Sequence, residues 1–381
     1  MKNNIRLLLI SFLFSVESRA QIPAQVNDPS KVALRNIVEF KNGDHYIDPS
    51  FSYAGTGFII DMGSYKLAAT AKHILWIAKN KRSPFVQIND QLKSWKMIAK
   101  SNDSVFATID QMINEDSTEI LEGPGSTIME RDAIFFTVKN ISPSIRSLKP
   151  RFSPVKAGEK VFFISADYTD SAAKVYEGRI LRKPGTDILI ERDMTTYRPG
   201  ASGSPVVDPN GMLIGISSSG SSDGRTGKGV VVAVSMEYLQ DVLAKKQPLN
   251  KPKEDYGAIV FKIGKDQGSK KAIQFYEKLT SDPQNYYRYN LRDAGRNGLR
   301  EAGEMLMEIK KYSDAIELLQ FNIKEYGSYY VNYNLLAKAY LLKGDTTSAI
   351  KTYGASTEKF SDANENEAFA ELKRLETAGK K

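Results

Sequence analysis

Hydrophobic spacing changes character near residue 247, and this break constrains the fold more than any other feature of the chain. Before it, apolar residues come in short bursts. Val32, Leu34, Val38 and Phe40 share one parity, and further runs occupy 57–60, 133–138, 161–164, 188–190, 205–207, 212–216 and 230–234. Turn-forming clusters separate them, among them Lys41-Asn42-Gly43 and Asp208-Pro209-Asn210-Gly211. Many short runs at that spacing predict an all-β sandwich or barrel, closed by one short helix over 237–246. Segment 247–267, which opens on Pro248, Pro252 and several charges, reads as a linker. Beyond Gly268 the period is helical. There Gly303, Leu306, Ala315 and Leu319 recur 34 residues later as Ala337, Tyr340, Ala349 and Tyr353. A chain of 381 residues is long enough for the two units this implies.

The first residues predict export. Lys2 and Arg6 make a basic start, 7–16 is an apolar run, and Ser18-Arg19-Ala20 is a small-x-small exit, so 1–20 reads as a signal peptide. The run is too short for a membrane span, and no later segment has the length for one. Periplasmic or secreted localisation follows. The chain has 0 cysteines, so each unit must hold together by its own core, and thiolate metal sites and cysteine nucleophiles are excluded. With His45 and His73 the only histidines and no HExxH, no zinc site is expected. His45 follows Asn42-Gly43-Asp44 and reads as an exposed loop residue. Net charge is +8, but acids are interleaved with the bases and no basic block stands out, which argues against nucleic-acid binding.

Two stretches carry chemistry. Ser202 lies in Pro199-Gly200-Ala201-Ser202-Gly203-Ser204-Pro205, between apolar strands. Small neighbours let the backbone turn sharply beside a substrate carbonyl, and the N–H groups of Gly200 and Ser202 can then converge as an oxyanion hole. Upstream, Gly55-Thr56-Gly57-Phe58-Ile59-Ile60 precedes Ala69-Thr70-Ala71-Lys72-His73. A Gly-x-Gly strand, Thr-Ala-x-His and a later Gly-x-Ser-Gly-x-Pro resemble the trypsin-like serine peptidases, most of all their cysteine-free bacterial members. The resemblance covers about 30–245.

It implies an all-β double-barrel trypsin-like peptidase domain, here 21–246, acting by a His-Asp-Ser triad on protein or peptide substrates with no cofactor and no metal. An aspartate is implied at the start of an apolar strand. Asp132, before Ala133-Ile134-Phe135-Phe136, fits better than Asp103, whose following run is interrupted by polar residues. The implied triad is His73, Asp132 and Ser202. Thr196 and Tyr197 would line one wall of the primary pocket and Ser217-Ser218-Ser219-Gly220 another, with Ser218 supporting Asp132 and Gly220 pairing with substrate backbone. Ala201 stands where zymogen-type members carry an aspartate, so activation by a new N-terminus is not expected. No acid occupies Thr196, which points to a neutral pocket.

The repeat over 268–381 resembles the tetratricopeptide repeat, and implies an all-α helical-repeat domain that binds a protein partner or substrate. Tyr286, Tyr287 and Tyr289 read as helix-packing residues. Two other functions stay open at this point: a non-catalytic exported scaffold that keeps the fold, and an esterase using the same triad.

Overall fold

The computed structural model describes residues 23–43, 52–78, 85–121, 129–196, 198–222, 228–245, 253–291, 298–327, 329–361 and 366–378. The expected signal peptide, His45, Tyr197 and the linker residues 247–252 lie outside them.

The first strands are β1 (Leu34–Phe40), β2 (Thr56–Asp61), β3 (Lys66–Thr70), β4 (Phe85–Val86), β5 (Leu92–Ala99), β6 (Phe106–Met112), β7 (Asp116–Ile120) and β8 (Ile134–Ile141). Antiparallel pairing closes six of them into a barrel in the order β1-β2-β3-β8-β6-β5, while β4 and β7 form a two-stranded sheet beside it. A second closed barrel follows, in the order β10-β11-β14-β13-β12-β9. Its strands are β9 (Lys160–Ser165), β10 (Lys174–Arg182), β11 (Asp187–Asp193), β12 (Pro205–Val207), β13 (Leu213–Ser222) and β14 (Lys228–Ser235).

Closure removes the edges that a long apolar sheet would otherwise expose. It also sorts the side chains. Leu34, Val38, Trp95, Met97 and Phe136 fill the first barrel, and Val161, Phe163, Ile190 and Val231 fill the second. A third cluster lies between them. Phe58, Ile60, Leu67 and Phe135 of the first barrel meet Phe162, Ile164, Leu213 and Val234 of the second. Strands that face both a barrel interior and this layer are buried on both sides. That is why Phe135-Phe136 and Val161-Phe162-Phe163-Ile164 read as unbroken apolar runs rather than alternating ones.

Among the described residues two α-helices belong to this unit: the single turn α1 (Leu75–Ala78), after His73, and α2 (Met236–Leu243). The latter sends Met236, Tyr238, Leu239 and Val242 into the inter-barrel layer.

The rest is helical: α3 (Gly257–Gln267), α4 (Ser269–Ser281), α5 (Asn285–Arg288), α6 (Gly298–Glu308), α7 (Tyr312–Tyr326), α8 (Tyr330–Lys343), α9 (Thr346–Lys359) and α10 (Ala368–Ala378). Helix α3 corrects the linker expectation over 247–267. Its Val260 is fully buried, and Gly264 lets the helix approach Leu306 of α6. Two glycines and the preceding prolines hide a helical pattern whose stability comes from packing rather than propensity. Consecutive long helices pack as neighbours, α6 on α7, α7 on α8, α8 on α9 and α9 on α10. The recurring small residues sit at these contacts: Gly303 abuts Leu319, and Ala337 shares a cluster with Tyr353.

The helical region is joined to the barrels by more than a chain crossing. Tyr286 and Tyr289 pack in the helical core, but Tyr287, 1% exposed, enters the inter-barrel layer, its ring 6.0 Å from Tyr238. Its hydroxyl donates to Asp241 Oδ2 at 3.0 Å, where Gln284 Nε2 also donates at 2.9 Å. Lys253 pairs with the buried Glu130 at 2.7 Å. Truncating Tyr287 to alanine would leave a cavity shared by both units. Tyr287→Ala is expected to destabilise the protein by about 3–5 kcal/mol. Urea unfolding of the full chain checks this.

Candidate active site

The loop bearing Ser202 is held by glycines in a backbone conformation that other residues rarely adopt. Gly200 and Gly203 have φ of 99° and 85°, and a Cβ on Gly203 would collide with the Thr56 carbonyl and the Thr70 hydroxyl. This close approach locks the loop to the first barrel. Thr56 N–H donates to the Ser202 carbonyl at 2.8 Å, and the Thr56 hydroxyl donates to the Gly200 carbonyl at 2.8 Å. On the other side, Gly203 N–H donates to the Ser217 carbonyl at 2.8 Å. The amides of Gly200 and Ser202 find no acceptor among the described residues.

His73 sits in the 3₁₀ turn Lys72–Ile74 that follows β3, and Asp132 follows the 3₁₀ turn Met129–Arg131 just before β8. Since β3 and β8 are neighbours in the first barrel, the two side chains meet at its rim. His73 Nδ1 lies 2.7 Å from Asp132 Oδ2, and His73 N–H donates to Asp132 Oδ1 at 2.7 Å. His73 Nε2 lies 2.8 Å from Ser202 Oγ. A carboxylate only accepts, so Nδ1 carries the proton and the Nε2 lone pair faces the serine hydroxyl. Asp132 is 2% exposed and also accepts from the Ser218 hydroxyl. Burial by itself would lower the imidazole pKa, but the charge and hydrogen bond of Asp132 hold it above the ordinary histidine value. Asp103 is elsewhere, on the surface with Arg35.

Of the remaining expected residues, Ser217 and Ser218 reach this centre, through the Gly203 amide and the Asp132 carboxylate. Ser217 and Ser218 are buried in β13, Ser219 is half-buried and Gly220 exposed. Pairing with β12 ends at Ile216, whereas β13 continues to Ser222 along β14. Thr196 is half-buried and accepts from Arg192 Nη2 at 3.0 Å. That guanidinium is buried between the rings of Phe163 and Tyr176, 5.0 and 4.6 Å from their centroids. Ala201 is buried.

Sequence reasoning missed the residues that brace the serine loop. Tyr53 donates to the Ala166 carbonyl at 2.6 Å, and Gly55 N–H donates to the Tyr168 hydroxyl at 3.1 Å. Asn36 Nδ2 donates to the carbonyls of Ala54 and Gly55 at 2.8 and 3.3 Å, and its Oδ1 accepts from Trp95 Nε1 at 3.0 Å. One signal was there to find. Asn36 is a polar residue on the inward parity of β1, and a buried amide needs partners.

Comparison with known families agrees with this architecture. Residues 55–216 match the family model described as the trypsin-like peptidase domain. The match runs from the glycine ahead of β2 to the middle of β13, and so includes His73, Asp132 and Ser202. No curated protein matches the chain. The two closed barrels, taken with this match, give the β region a double-barrel fold of the trypsin-like type, which a helical C-terminal region follows.

Proposed function

We propose that the chain is an exported serine endopeptidase that cleaves peptide bonds through an acyl-enzyme. The observation that carries this reading is the unbroken line of contacts from Asp132 through His73 to Ser202 Oγ, at 2.7 and 2.8 Å. In the first step the Ser202 proton passes to His73 Nε2 as Oγ bonds to the carbonyl carbon. The resulting oxyanion takes hydrogen bonds from the Gly200 and Ser202 amides, each worth about 10²–10³ in turnover. His73 then gives the proton to the leaving amine as the C–N bond breaks. Water, deprotonated by His73, cleaves the ester and returns Ser202. Asp132 holds the imidazole in the required tautomer and stabilises its protonated form.

Ser217-Ser218-Ser219-Gly220 would line one wall of the pocket, with Gly220 pairing with the substrate backbone. Thr196 and Tyr197 would form a pocket wall without an acid. The Arg192 guanidinium behind Thr196 disfavours a cationic side chain there, so small or medium neutral residues are the expected preference. The helical region would act as a tetratricopeptide-like module that holds a partner protein or the substrate. The sequence leader 1–20 would direct export to the periplasm or the exterior.

Incubating the protein with a diverse peptide library and sequencing the new termini tests this. Cuts after neutral residues, absent with Ser202→Ala, are expected. No cuts at all would contradict the peptidase reading, and a strong preference for charged residues would contradict the pocket.

A further inference from the structure

Strand β7 is oriented against its own hydrophobicity. It exposes Ile120, at 50%, and buries Glu119, at 6%. The buried carboxylate reaches two cations. Glu119 Oε2 lies 2.9 Å from Lys72 Nζ, and Glu119 Oε1 lies 3.4 Å from Arg131 Nε. Lys72 and Arg131 are themselves buried. Lys72 immediately precedes His73, and Arg131 immediately precedes Asp132. One carboxylate therefore straddles the two residues from which the histidine and aspartate follow, while Tyr238 of α2 closes the site 3.5 Å from Lys72 Nζ. Three buried charges are a poor means of stabilising a fold, since apolar side chains of similar volume do as well or better; their best-attested use is to fix register.

We propose that Glu119 is a positioning residue for the triad: by tying Lys72 to Arg131 it sets the separation and orientation of His73 and Asp132. The inference rests on the peptidase reading for its kinetic consequence, but not for its structural one. The 3₁₀ turns Lys72–Ile74 and Met129–Arg131 are short and come from different parts of the chain. Between them, the contact of His73 with Asp132 needs a geometry held to a fraction of an ångström. Release of one turn lets the imidazole rotate away from Ser202 without emptying the substrate cleft.

The test uses the full exported chain and two variants. Glu119→Gln removes the charge in nearly the same volume. Because it removes the carboxylate that pairs with the buried Lys72 and can prevent folding, Lys72→Met/Glu119→Gln is made beside it, so that no charge remains at position 72. Folded variants are expected to lose about 10–100-fold in kcat with KM changed by no more than about twofold. The downfield NMR resonance of the His73 Nδ1 proton, held against Asp132 in the parent, is expected to weaken or vanish. A folded double variant with wild-type kcat and an undiminished resonance would overturn the proposal. The resonance does not depend on turnover. Its presence in a parent protein that cleaves nothing, together with its loss in the variants, would support the role of Glu119 while contradicting the peptidase reading.

Discussion

Ser202→Ala is expected to lower peptide turnover by about a millionfold, the loss seen when the nucleophile of a triad is removed. The change deletes one hydroxyl from a half-buried position and leaves every backbone contact of the loop in place. Thr56 still donates to the carbonyl at 202, and Gly203 to Ser217. Unfolding free energy should therefore move by no more than about 0.5 kcal/mol. What disappears is the only oxygen within 2.8 Å of His73 Nε2 among the described contacts. Burst kinetics with an activated ester, compared with the parent, separates loss of acylation from loss of binding. A variant that retains substantial turnover would mean that the chemistry uses another group.

The second large effect is expected at Asp132. In Asp132→Asn the amide oxygen can still accept the His73 backbone N–H, as Oδ1 does now at 2.7 Å. Its NH₂ then faces His73 Nδ1 and donates where the carboxylate accepted. The imidazole proton is forced onto Nε2, which points at Ser202 and can no longer take its proton. Turnover should fall by about 10⁴-fold at neutral pH. The pH profile carries a second signature. Asp132 raises the His73 pKa, so parent activity should rise with pH through a midpoint above the ordinary value of about 6.5. Below that midpoint the imidazole is protonated and cannot act as base. Without the aspartate charge, the acid limb of the residual activity should move to lower pH. An unchanged limb would show that the two side chains are not coupled as their geometry indicates.

The parts of this molecule that were legible in the sequence are those where a local rule and the tertiary environment agree. Val161-Phe162-Phe163-Ile164 is apolar because one face fills a barrel and the other faces its neighbour. The glycines around Ser202 announce a tight turn because Gly200 and Gly203 need positive φ. His73, Asp132 and Ser202 stand far apart in the chain, and motif form alone singled them out; their separations of 2.7 and 2.8 Å belong to the fold.

What remained hidden depends on contacts between distant segments. Helix α3 carries Gly257 and Gly264, and its packing on α6 is what makes it helical. Glu119 lies in an otherwise polar, exposed strand, and nothing local distinguishes it from a solvated surface residue. Only the approach of Lys72 and Arg131 does so. Tyr287 reads as helix packing, yet its ring belongs to the barrels. The docking of α5 against the 3₁₀ turn that precedes Asp132, with Lys253 on Glu130, brings the helical region within two residues of Asp132 along the chain. The helical region thus has a short physical route to Asp132, through an element both units share.

The most direct measurement is reaction of the purified protein with a fluorophosphonate probe, followed by mass-spectrometric mapping of the labelled residue in parent and Ser202→Ala proteins. A single adduct on Ser202, absent from the variant, is the expected result, because phosphonylation needs an activated hydroxyl together with donors for the developing oxyanion. Absence of labelling at Ser202 in the folded parent protein would contradict the proposed catalytic role of the His73-Asp132-Ser202 arrangement.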